Sequence, residues 1–321
     1  MALRRHINPF SKTNNDTGFG TRGDSYGGRF INKDGSYNLK KTGLSIWKRF
    51  SVFQSMLAMP TWKFILTLVL CYLGANVLYT LIYIAIGIND FQGMLATTSW
   101  GKIKEVFFFS TETFTTVGYG RVNPVKDAAN MVAALEAMNG FLYFAIATGL
   151  IYGRFSKAKA HIAFSHHALI SPYRDGTALM FRIVSYKDHH ALTDVNIRAN
   201  LALLVNENGS ASYKFYELAL ERVRVDTLMM NWTVVHPIDE NSPLQGLTIE
   251  DMVTGDLEVY VSVRGFDDIY SNTVIKRTSY TYEEIVFNAK FTQMYHESED
   301  GRTTILEVDK LGEYEIIENN I

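Results

Sequence analysis

Two long stretches of the chain carry almost no charge, and this feature limits the possible folds more than any other. Phe64 to Ile88 contains no charged residue, and Ala128 to Tyr152 contains only Glu136. Helices of about 25 residues are about 38 Å long, enough to cross about 30 Å of hydrocarbon with some tilt. The remaining sequence has an ordinary globular composition. We therefore expect two membrane-spanning helices joined to a soluble region.

A shorter apolar run and a glycine-containing hexapeptide lie between these stretches. Trp100 to Phe114 is too short to cross a bilayer, which takes roughly 20 apolar residues. It is followed by Thr115-Thr116-Val117-Gly118-Tyr119-Gly120. Short helices and irregular strands occur at membrane depth only when they are buried in protein or line water. The pattern predicts a pore module at 60–153, with spans at about 64–88 and 128–152, a re-entrant pore helix at about 101–113 and a filter at 115–120.

The hexapeptide is similar to the TVGYG selectivity filter of potassium channels. Its glycines can adopt backbone angles that a Cβ forbids, so an extended strand can turn its carbonyls to one side. In a ring of such strands, oxygen atoms replace the water shell of K⁺. We expect the ion-binding residues to be Thr116, Val117, Gly118, Tyr119 and Gly120. Gly-Tyr-Gly also occurs in turns of soluble proteins, but the flanking spans favour the filter.

Charged residues at the ends of the spans predict the orientation. Lys40, Lys41, Lys48, Arg49 and Lys63 precede the first span, and Arg154, Lys157 and Lys159 follow the second. By the positive-inside rule, this indicates a multi-pass protein of the cell (inner or plasma) membrane with both termini in the cytoplasm. No cleavable signal is evident, and the single cysteine, Cys71, excludes an internal disulfide.

The segment before the first span has two parts. Residues 1–45 are rich in Gly, Asn, Ser and Lys, which predicts a mobile cytoplasmic arm, with a short docking strand near Tyr37 to Leu39. Residues 46–59 place Ile46, Trp47, Phe50, Phe53, Met56 and Leu57 at helical spacing, which predicts an amphipathic helix in the membrane interface. The alternative, that this is the start of the first span, is disfavoured because Pro60 interrupts a continuous helix.

Several residues around the filter are candidates for supporting it. Glu112 and Arg121 flank the hexapeptide, and we expect an ion pair between them, with Thr115 beside it. The alternative is that Arg121 faces water and Glu112 bonds to the backbone. Glu136, the lone charge within the second span, lies about two turns from Phe144, so we expect it to support the filter rather than line the cavity.

The second span offers candidates for the pore lining. Phe144, Thr148 and Tyr152 are spaced by four residues and so share a helical face. We expect them to line the pore, with Tyr152 forming an aromatic constriction that gates by dewetting. The alternative is that these aromatic side chains face lipid.

Residues 154–321 have the composition of an all-β domain. Six runs predict strands: Leu179 to Val184, Asn200 to Val205, Trp232 to Val235, Leu257 to Val263, Thr273 to Arg277 and Ile285 to Phe291. Turn signals at Asn208-Gly209, Gly246, Gly265 and Asp300-Gly301 punctuate them. We expect an immunoglobulin-like β-sandwich ending in a mobile acidic tail that includes Glu313, Glu315 and Glu318.

Taken together, these motifs resemble the prokaryotic inward-rectifier potassium channels of the KirBac group, over about residues 32 to 310. The filter, Leu150 to Phe155, Asn32 to Gly35, and Trp232 to Asp239 followed by Ser242-Pro243 carry the resemblance. It implies a K⁺-selective homotetramer with an interfacial slide helix, gated through its cytoplasmic domain. It also implies regulation by a phosphoinositide or other anionic phospholipid, read by basic residues near the inner leaflet. The matching positions are Trp62, Lys63, Arg154, Lys157 and Lys159.

The sequence departs from the family pattern at two positions. Strong eukaryotic rectifiers carry an acid in the inner cavity where Phe144 stands here, which predicts weak rectification. The family's basic residue after the filter usually lies one place later than Arg121. His161, His166, His167, His189 and His190 have no metal-site spacing, so pH sensing and metal binding compete with an ordinary surface role.

Other classes of protein remain as alternatives. A membrane-anchored β-sandwich receptor without conduction and a nonselective cation channel both fit the segment order. No nucleophile–base pair, phosphate loop or metal cluster indicates an enzyme. We expect no cofactor and no nucleic-acid partner.

Overall fold

The chain folds into two compact units. The computed structural model describes residues 2–3, 7–14, 28–45, 50–188, 190–207 and 210–317. One unit comprises residues 42–157, and the other combines residues 1–41 with 158–321. The N-terminal segment therefore belongs to the same unit as the C-terminal domain.

The first unit is helical. Its helices are α1 (Val52–Ala58), α2 (Thr61–Ile86), α3 (Ser99–Phe114) and α4 (Asp127–Phe155). By length and composition, α2 and α4 can each cross a membrane. A 3₁₀ turn (Ile88–Asp90) and the antiparallel pair β1 (Phe91–Gln92) and β2 (Asn123–Pro124) join the elements around α3.

The interfacial helix is shorter than the interval 46–59 expected from the sequence. Residues 46–49 lie outside the described residues, and Phe50 is not helical. Ser51 has an extended backbone, and its Oγ accepts a hydrogen bond from Gln54 N at 3.4 Å, so it caps a helix that begins at Val52. Pro60, also extended, separates α1 from α2.

The short helix α3 packs between the two long ones. Val106, Phe109 and Phe114 of α3 form one buried cluster with residues of both α2 and α4. The rings of Tyr83 and Phe109 meet edge to face, with centroids 5.6 Å apart. Aromatic pairs of this geometry add to the free energy of apolar burial. The position of α3 is thus fixed by contacts on both sides.

The second unit contains two five-stranded sheets. The first sheet consists of β6 (Leu192–Glu207), β7 (Ser210–Leu218), β8 (Arg224–Leu228), β10 (Glu258–Asp267) and β11 (Asn272–Thr281). The second consists of β3 (Ile162–Phe164), β4 (Ala168–Tyr173), β5 (Gly176–Ser185), β9 (Trp232–Ile238) and β12 (Ile285–Phe287). The first has the strand order β11-β10-β6-β7, with β8 also paired to β6, and the second has the order β12-β4-β5-β3, with β9 also paired to β5.

Shorter elements complete this unit. They are α5 (Ile249–Thr254), 3₁₀ turns at Tyr282–Glu284 and Val308–Gly312, and the paired strands β13 (Ala289–Phe291) with β16 (Tyr314–Ile316) and β14 (Tyr295–Glu297) with β15 (Thr304–Leu306). One hydrophobic cluster holds buried residues of both large sheets, such as Phe181 and Val261. The expected β-sandwich is therefore present.

Part of the N-terminal segment is docked rather than mobile. Glu258 of β10 accepts hydrogen bonds from the backbone of Phe30 (2.7 Å) and Ile31 (3.1 Å). Arg29 Nη2 lies 2.5 Å from Glu284 Oε2. The two carboxylates thus hold Arg29, Phe30 and Ile31 against the domain. Phe30 also packs its ring against Phe215 of β7. Tyr37 to Leu39 do not form the expected docking strand: Tyr37 has an isolated bridge to Ile31 of the same segment, and Leu39 is exposed.

Three local expectations in the β domain are wrong. Ile285 to Phe291 is not one strand, because Asn288 takes a φ of +52° and sends β12 and β13 to different sheets. Gly265 is not a turn but lies within β10 at a break in register. The tail does not become mobile at Glu313, since β16 follows it; Glu318 lies outside the described residues.

Candidate functional site

The hexapeptide after α3 has a backbone of alternating handedness. Thr116, Gly118 and Gly120 have φ values of +56°, +55° and +78°, whereas φ is not positive at Val117 or Tyr119. In an ordinary strand successive carbonyls point to opposite sides, and alternating handedness brings them to the same side. Of these three residues, Thr116 is the one that is not a glycine. Its positive φ has an energetic cost of the kind found at functional sites.

Amide groups of this loop point back at the end of α3. Thr116 N donates to Thr113 O at 3.0 Å, and Val117 N and Gly118 N donate to Glu112 O at 2.9 and 3.3 Å. These bonds satisfy carbonyls that a helix C-terminus leaves without partners. Thr115 Oγ1 also donates to Thr111 O, at 2.7 Å. At the other end of the loop, the carbonyl of Gly120 accepts a hydrogen bond from Asn123 Nδ2 at 2.7 Å.

The expected ion pair between Glu112 and Arg121 does not form within the chain. Arg121 Nη1 instead lies 3.3 Å from Glu105 Oε1 and 3.4 Å from Gly93 O. Pairing of β1 with β2 carries the returning chain across Gly93, where a Cβ would overlap the Arg121 backbone. Arg121 therefore sits beside Glu105, two helical turns before Glu112. Glu112 contacts the loop through its backbone carbonyl.

Glu136 is fully buried at the centre of a polar network. Ser110 Oγ donates to its Oε1 at 2.5 Å and Tyr83 Oη donates to its Oε2 at 2.6 Å. Ser110 Oγ also lies 3.1 Å from Asn76 Oδ1. Three helices thus share one carboxylate, which holds α3 and does not face the open side of α4.

The network partners were not identified from the sequence. Asn76, Thr80 and Tyr83 are polar or buried residues of α2 at helical spacing, all of them packed inward. A row of polar residues along one side of an otherwise apolar helix indicates the side of α2 that packs against Glu136.

The inner helix α4 also touches the base of the loop directly. Gly140 is buried, and a Cβ there would lie 2.8 Å from the carbonyl carbon of Phe114 and closer still to its oxygen. Only glycine permits this approach. Two residues of α4, Glu136 and Gly140, therefore set the position of the α3 end.

Phe144, Thr148 and Tyr152 are exposed on one face of α4. Their own chain does not cover them, and Tyr152 is 73% exposed. The common face expected from their spacing is present in the helix Asp127–Phe155.

Arg154 lies in a different environment from the one expected of a lipid-binding residue. Its Nη1 donates to the backbone oxygens of Met56 (2.9 Å), Leu57 (3.3 Å) and Met59 (2.8 Å). Its guanidinium also stacks over the Phe64 ring at 4.7 Å. Arg154 thus caps the C-terminus of α1, where a helix leaves carbonyls unpaired, and both of its Nη atoms donate to protein oxygens.

The other basic candidates stay on the surface. Lys63, Lys157 and Lys159 are exposed, as is Trp62, over whose ring Lys63 Nζ lies at 5.4 Å. These four residues keep the accessibility that an anionic headgroup requires.

The histidines do not form a metal site in the described part of the chain, where no group of three His, Cys, Asp or Glu side chains is suited to hold a metal ion. His190 Nε2 lies 2.9 Å from Asp267 Oδ2, and both side chains are buried. Burial lowers the pKa of His161, next to which His190 packs. His189 lies outside the described residues.

Comparison with known proteins adds independent information. A family model described as "Inward rectifier potassium channel C-terminal domain" matches residues 162–318, and one described as "Ion channel" matches residues 66–157. The chain is 30% identical over 279 residues to "Inward rectifier potassium channel Kirbac3.1" of Paramagnetospirillum magnetotacticum, covering 86% of this chain and 92% of that protein.

Mammalian proteins are more distant. The chain is 26% identical over 265 residues to "ATP-sensitive inward rectifier potassium channel 12" of Bos taurus and spans 60% of that protein. It is 29% identical over 205 residues to "Inward rectifier potassium channel 4" of Homo sapiens and spans 45% of it. Among solved structures, the sporulation control protein Spo0M of Bacillus subtilis has a TM-score of only 0.25, which carries no argument.

The two family models together match most of each unit of the fold, and the KirBac relative matches over 92% of its own length. The pore module with two spanning helices and the all-β C-terminal domain, both expected from the sequence, are confirmed. This is a family of ion channels, not of enzymes. The chain belongs to the inward rectifier potassium channel family, and within it to the KirBac type.

Proposed function

We propose that the chain forms a homotetramer in which four copies of Thr116 to Gly120 make the K⁺ filter. The observation that carries the proposal is the alternating backbone handedness of these residues, because it gives each chain a row of oxygens on one side. One strand cannot surround an ion, and Tyr119 is 81% exposed in the single chain. Four strands replace the hydration shell of K⁺ at successive sites, and multiple occupancy keeps each ion weakly held.

The residues around the filter hold it at the right width. Thr115 and the backbone of Glu112 anchor the loop to α3, and Arg121 braces its outer end through Glu105. Glu136 fixes the opposite side of α3. These contacts hold the carbonyl oxygens where they replace the hydration shell of K⁺, so their loss lowers selectivity.

Phe144, Thr148 and Tyr152 line the inner pore, and Tyr152 forms the gate. Their exposure on one face of α4 supports this role, since a tetramer turns that face to the axis. Four tyrosines at the cytoplasmic end exclude water when close together. Phe144 offers no carboxylate to polyamines or Mg²⁺, so rectification is weak.

Anionic phospholipid of the inner leaflet regulates the gate through Trp62, Lys63, Lys157 and Lys159. Their exposure supports direct contact with headgroups, and a phosphoinositide is the expected ligand. Arg154 contributes indirectly, by tying the end of α4 to α1. Both termini lie in the cytoplasm, and the protein resides in the cell membrane.

Ion flux into liposomes that contain the purified protein tests conduction. We expect K⁺ flux that greatly exceeds Na⁺ flux and is blocked by Ba²⁺. Gly118→Ala, at a φ of +55°, loses this selectivity because alanine is strained there, whereas Gly74→Ala, with open space around it, keeps it. Equal Na⁺ and K⁺ flux identifies a nonselective channel. No flux in any lipid, with or without phosphoinositide, identifies a receptor without conduction.

Rectification has its own test. Phe144→Glu places a ring of carboxylates in the inner cavity. We expect voltage-dependent block by cytoplasmic Mg²⁺ or spermine to appear in planar-bilayer recordings of this variant and to be slight in the parent and in Phe144→Gln. Strong block of the parent channel contradicts the assignment of weak rectification.

A further inference from the structure

An apolar groove runs between α2 and α3 of the helical unit. Val77, Leu81 and Ile84 of α2 and Ile103 and Phe107 of α3 line it, and Lys104 stands at its edge. Its volume is about 430 Å³. This is within the range of pockets that hold small ligands, roughly 300–1,000 Å³.

Water is a poor occupant of this groove. The single hydroxyl among its lining residues, Thr80 Oγ1, donates to Asn76 O at 2.7 Å and so has a partner already. A buried water needs two to four polar partners, and apolar cavities stay dry. The groove therefore favours hydrocarbon.

The groove opens where the helices meet the bilayer. Val77 and Leu81 are exposed on α2, and Trp100 is exposed in the first turn of α3. In the orientation proposed above, this end of α2 is at the outer leaflet, and a tryptophan at the start of α3 lies at headgroup level. Acyl chains of the outer-leaflet lipids are thus the hydrocarbon available to fill the groove.

Lys104 gives the groove a charged edge. It follows Trp100 by four residues and precedes Phe107 and Phe108 by three and four, so all lie on one face of α3. Among the described residues it forms no ion pair, since the neighbouring Glu105 is held by Arg121 and by Leu95 N at 3.1 Å. A lysine at this depth extends its ammonium to lipid phosphates.

We propose that the groove binds one anionic glycerophospholipid of the outer leaflet per subunit. An acyl chain fills the space between α2 and α3, and the phosphate pairs with Lys104. The proposal rests on the orientation given under the proposed function. This site is separate from Lys63 and Lys157, which lie at the opposite ends of the two spans.

The lipid binds to the helix that carries the filter. Phe107 lines the groove, and α3 ends at Phe114, directly before the filter residues. An acyl chain that fills the groove adds apolar contacts to α3. Occupancy therefore stabilises the filter from the lipid side, as Glu136 does from the protein side.

Lipid retention by the full-length protein tests the charge. The protein is released from nanodiscs of mixed phosphatidylglycerol and phosphatidylcholine, and lipids bound per subunit are counted by native mass spectrometry. We expect Lys104→Gln to weaken phosphatidylglycerol binding about fivefold, the effect of about 1 kcal/mol per basic residue near a membrane surface. Lys102→Gln, about 200° around the same helix, removes an equal charge and leaves retention unchanged. Equal retention by both variants and the parent overturns the proposal.

A second variant tests the groove itself. Leu81→Trp fills the space from an exposed position, so the fold tolerates it, and we expect it to reduce binding of both lipids. Leu78→Trp, also exposed on α2 but outside the groove, is the control. If Leu81→Trp retains as much lipid as Leu78→Trp, the groove is not the site.

A photoreactive residue at position 81 identifies the occupant. A lipid adduct supports the proposal, whereas a covalent dimer shows that a second copy of the chain fills the groove and overturns it. K⁺ and Na⁺ fluxes are measured on the same samples. If Lys104→Gln and Leu81→Trp leave the lipid count unchanged while K⁺ flux is normal, this site is refuted and conduction is not. If both variants lower the lipid count as expected but the parent protein gives no K⁺ flux, conduction is refuted and this site is not.

Discussion

Replacement of Gly140 by alanine is the sharpest test of how α4 positions the filter. The new Cβ would lie 2.8 Å from the Phe114 carbonyl carbon, and real Cβ atoms essentially never approach other atoms more closely than 3.0 Å. The obstructing group is backbone, so no side-chain rotation relieves the overlap. Either α4 or the end of α3 must move.

Two opposing terms decide the size of the effect. Overpacking in a closed core costs about 1–3 kcal/mol, and a backbone obstruction belongs at the upper end. Alanine in place of glycine within a helix returns about 1 kcal/mol. The net loss is about 1–2 kcal/mol per subunit, or about 4–8 kcal/mol for four subunits. Phe114 precedes Thr116 by two residues, so the same movement reaches the first ion site.

Gly74→Ala is the matched control. It lies in α2, nothing lies within 4 Å of its added Cβ, and only the helical gain remains. We expect Gly140→Ala to lower the melting temperature of the detergent-solubilised assembly and the ratio of K⁺ to Na⁺ flux, while Gly74→Ala does neither. If the two variants melt together and select equally, the close approach does not position the filter.

Three further changes have defined outcomes. Glu136→Leu leaves the buried Tyr83 hydroxyl without its acceptor, at about 1–3 kcal/mol per subunit, while Ser110 keeps Asn76; it should lower recovery of assembled protein on size-exclusion chromatography, and Glu136→Gln should largely restore it. Arg154→Gln should speed hydrogen exchange in Val52–Ala58, because three carbonyls lose their donor; Lys157→Gln should not, and equal effects of the two would exclude a capping role. Burial lowers the pKa of His236 below its ordinary 6.5, so its contribution to stability is complete above pH 6.5 and is lost as the pH falls through the lowered folded-state pKa. The protection factors of amides in Trp232–Ile238, which correct for the intrinsic pH dependence of hydrogen exchange, should therefore fall as the pH drops below 6.5, and less steeply in His236→Gln; identical slopes would contradict this.

Long-range apolar patterns made the architecture predictable. An uncharged stretch must enter a membrane or a core, and its length selects between them, so the helices Thr61–Ile86 and Asp127–Phe155 follow closely from composition. Runs such as Leu179 to Val184 lie within observed strands for a similar reason. The length and spacing of apolar residues can be read within a single segment, without knowing which other segments it contacts.

Contacts between segments were less predictable. Glu105 and Glu112 both lie on α3, and which one meets Arg121 depends on the two-residue pairing of β1 with β2, which leaves almost no pattern in the sequence. Asn288 interrupts the run Ile285 to Phe291 because its left-handed backbone separates β12, which pairs with β4, from β13, which pairs with β16. Tertiary contacts override local propensity at such points.

The ionisable residues near the spans divide into two groups by their partners. Glu136 and Arg154 have their hydrogen-bonding atoms occupied by other helices, by Ser110 and Tyr83 in one case and by the end of α1 in the other. A charge that enters the membrane region must have such partners, since an unpaired buried charge is too costly. Lys63, Lys104 and Lys157 are exposed and end in flexible ammonium groups. Arg154 and Glu136 therefore join helices to one another, whereas Lys63, Lys104 and Lys157 keep the exposure that the proposed lipid contacts require. It follows that removing a lysine should alter lipid dependence in an intact assembly, whereas removing Glu136 or Arg154 should impair the assembly in every lipid.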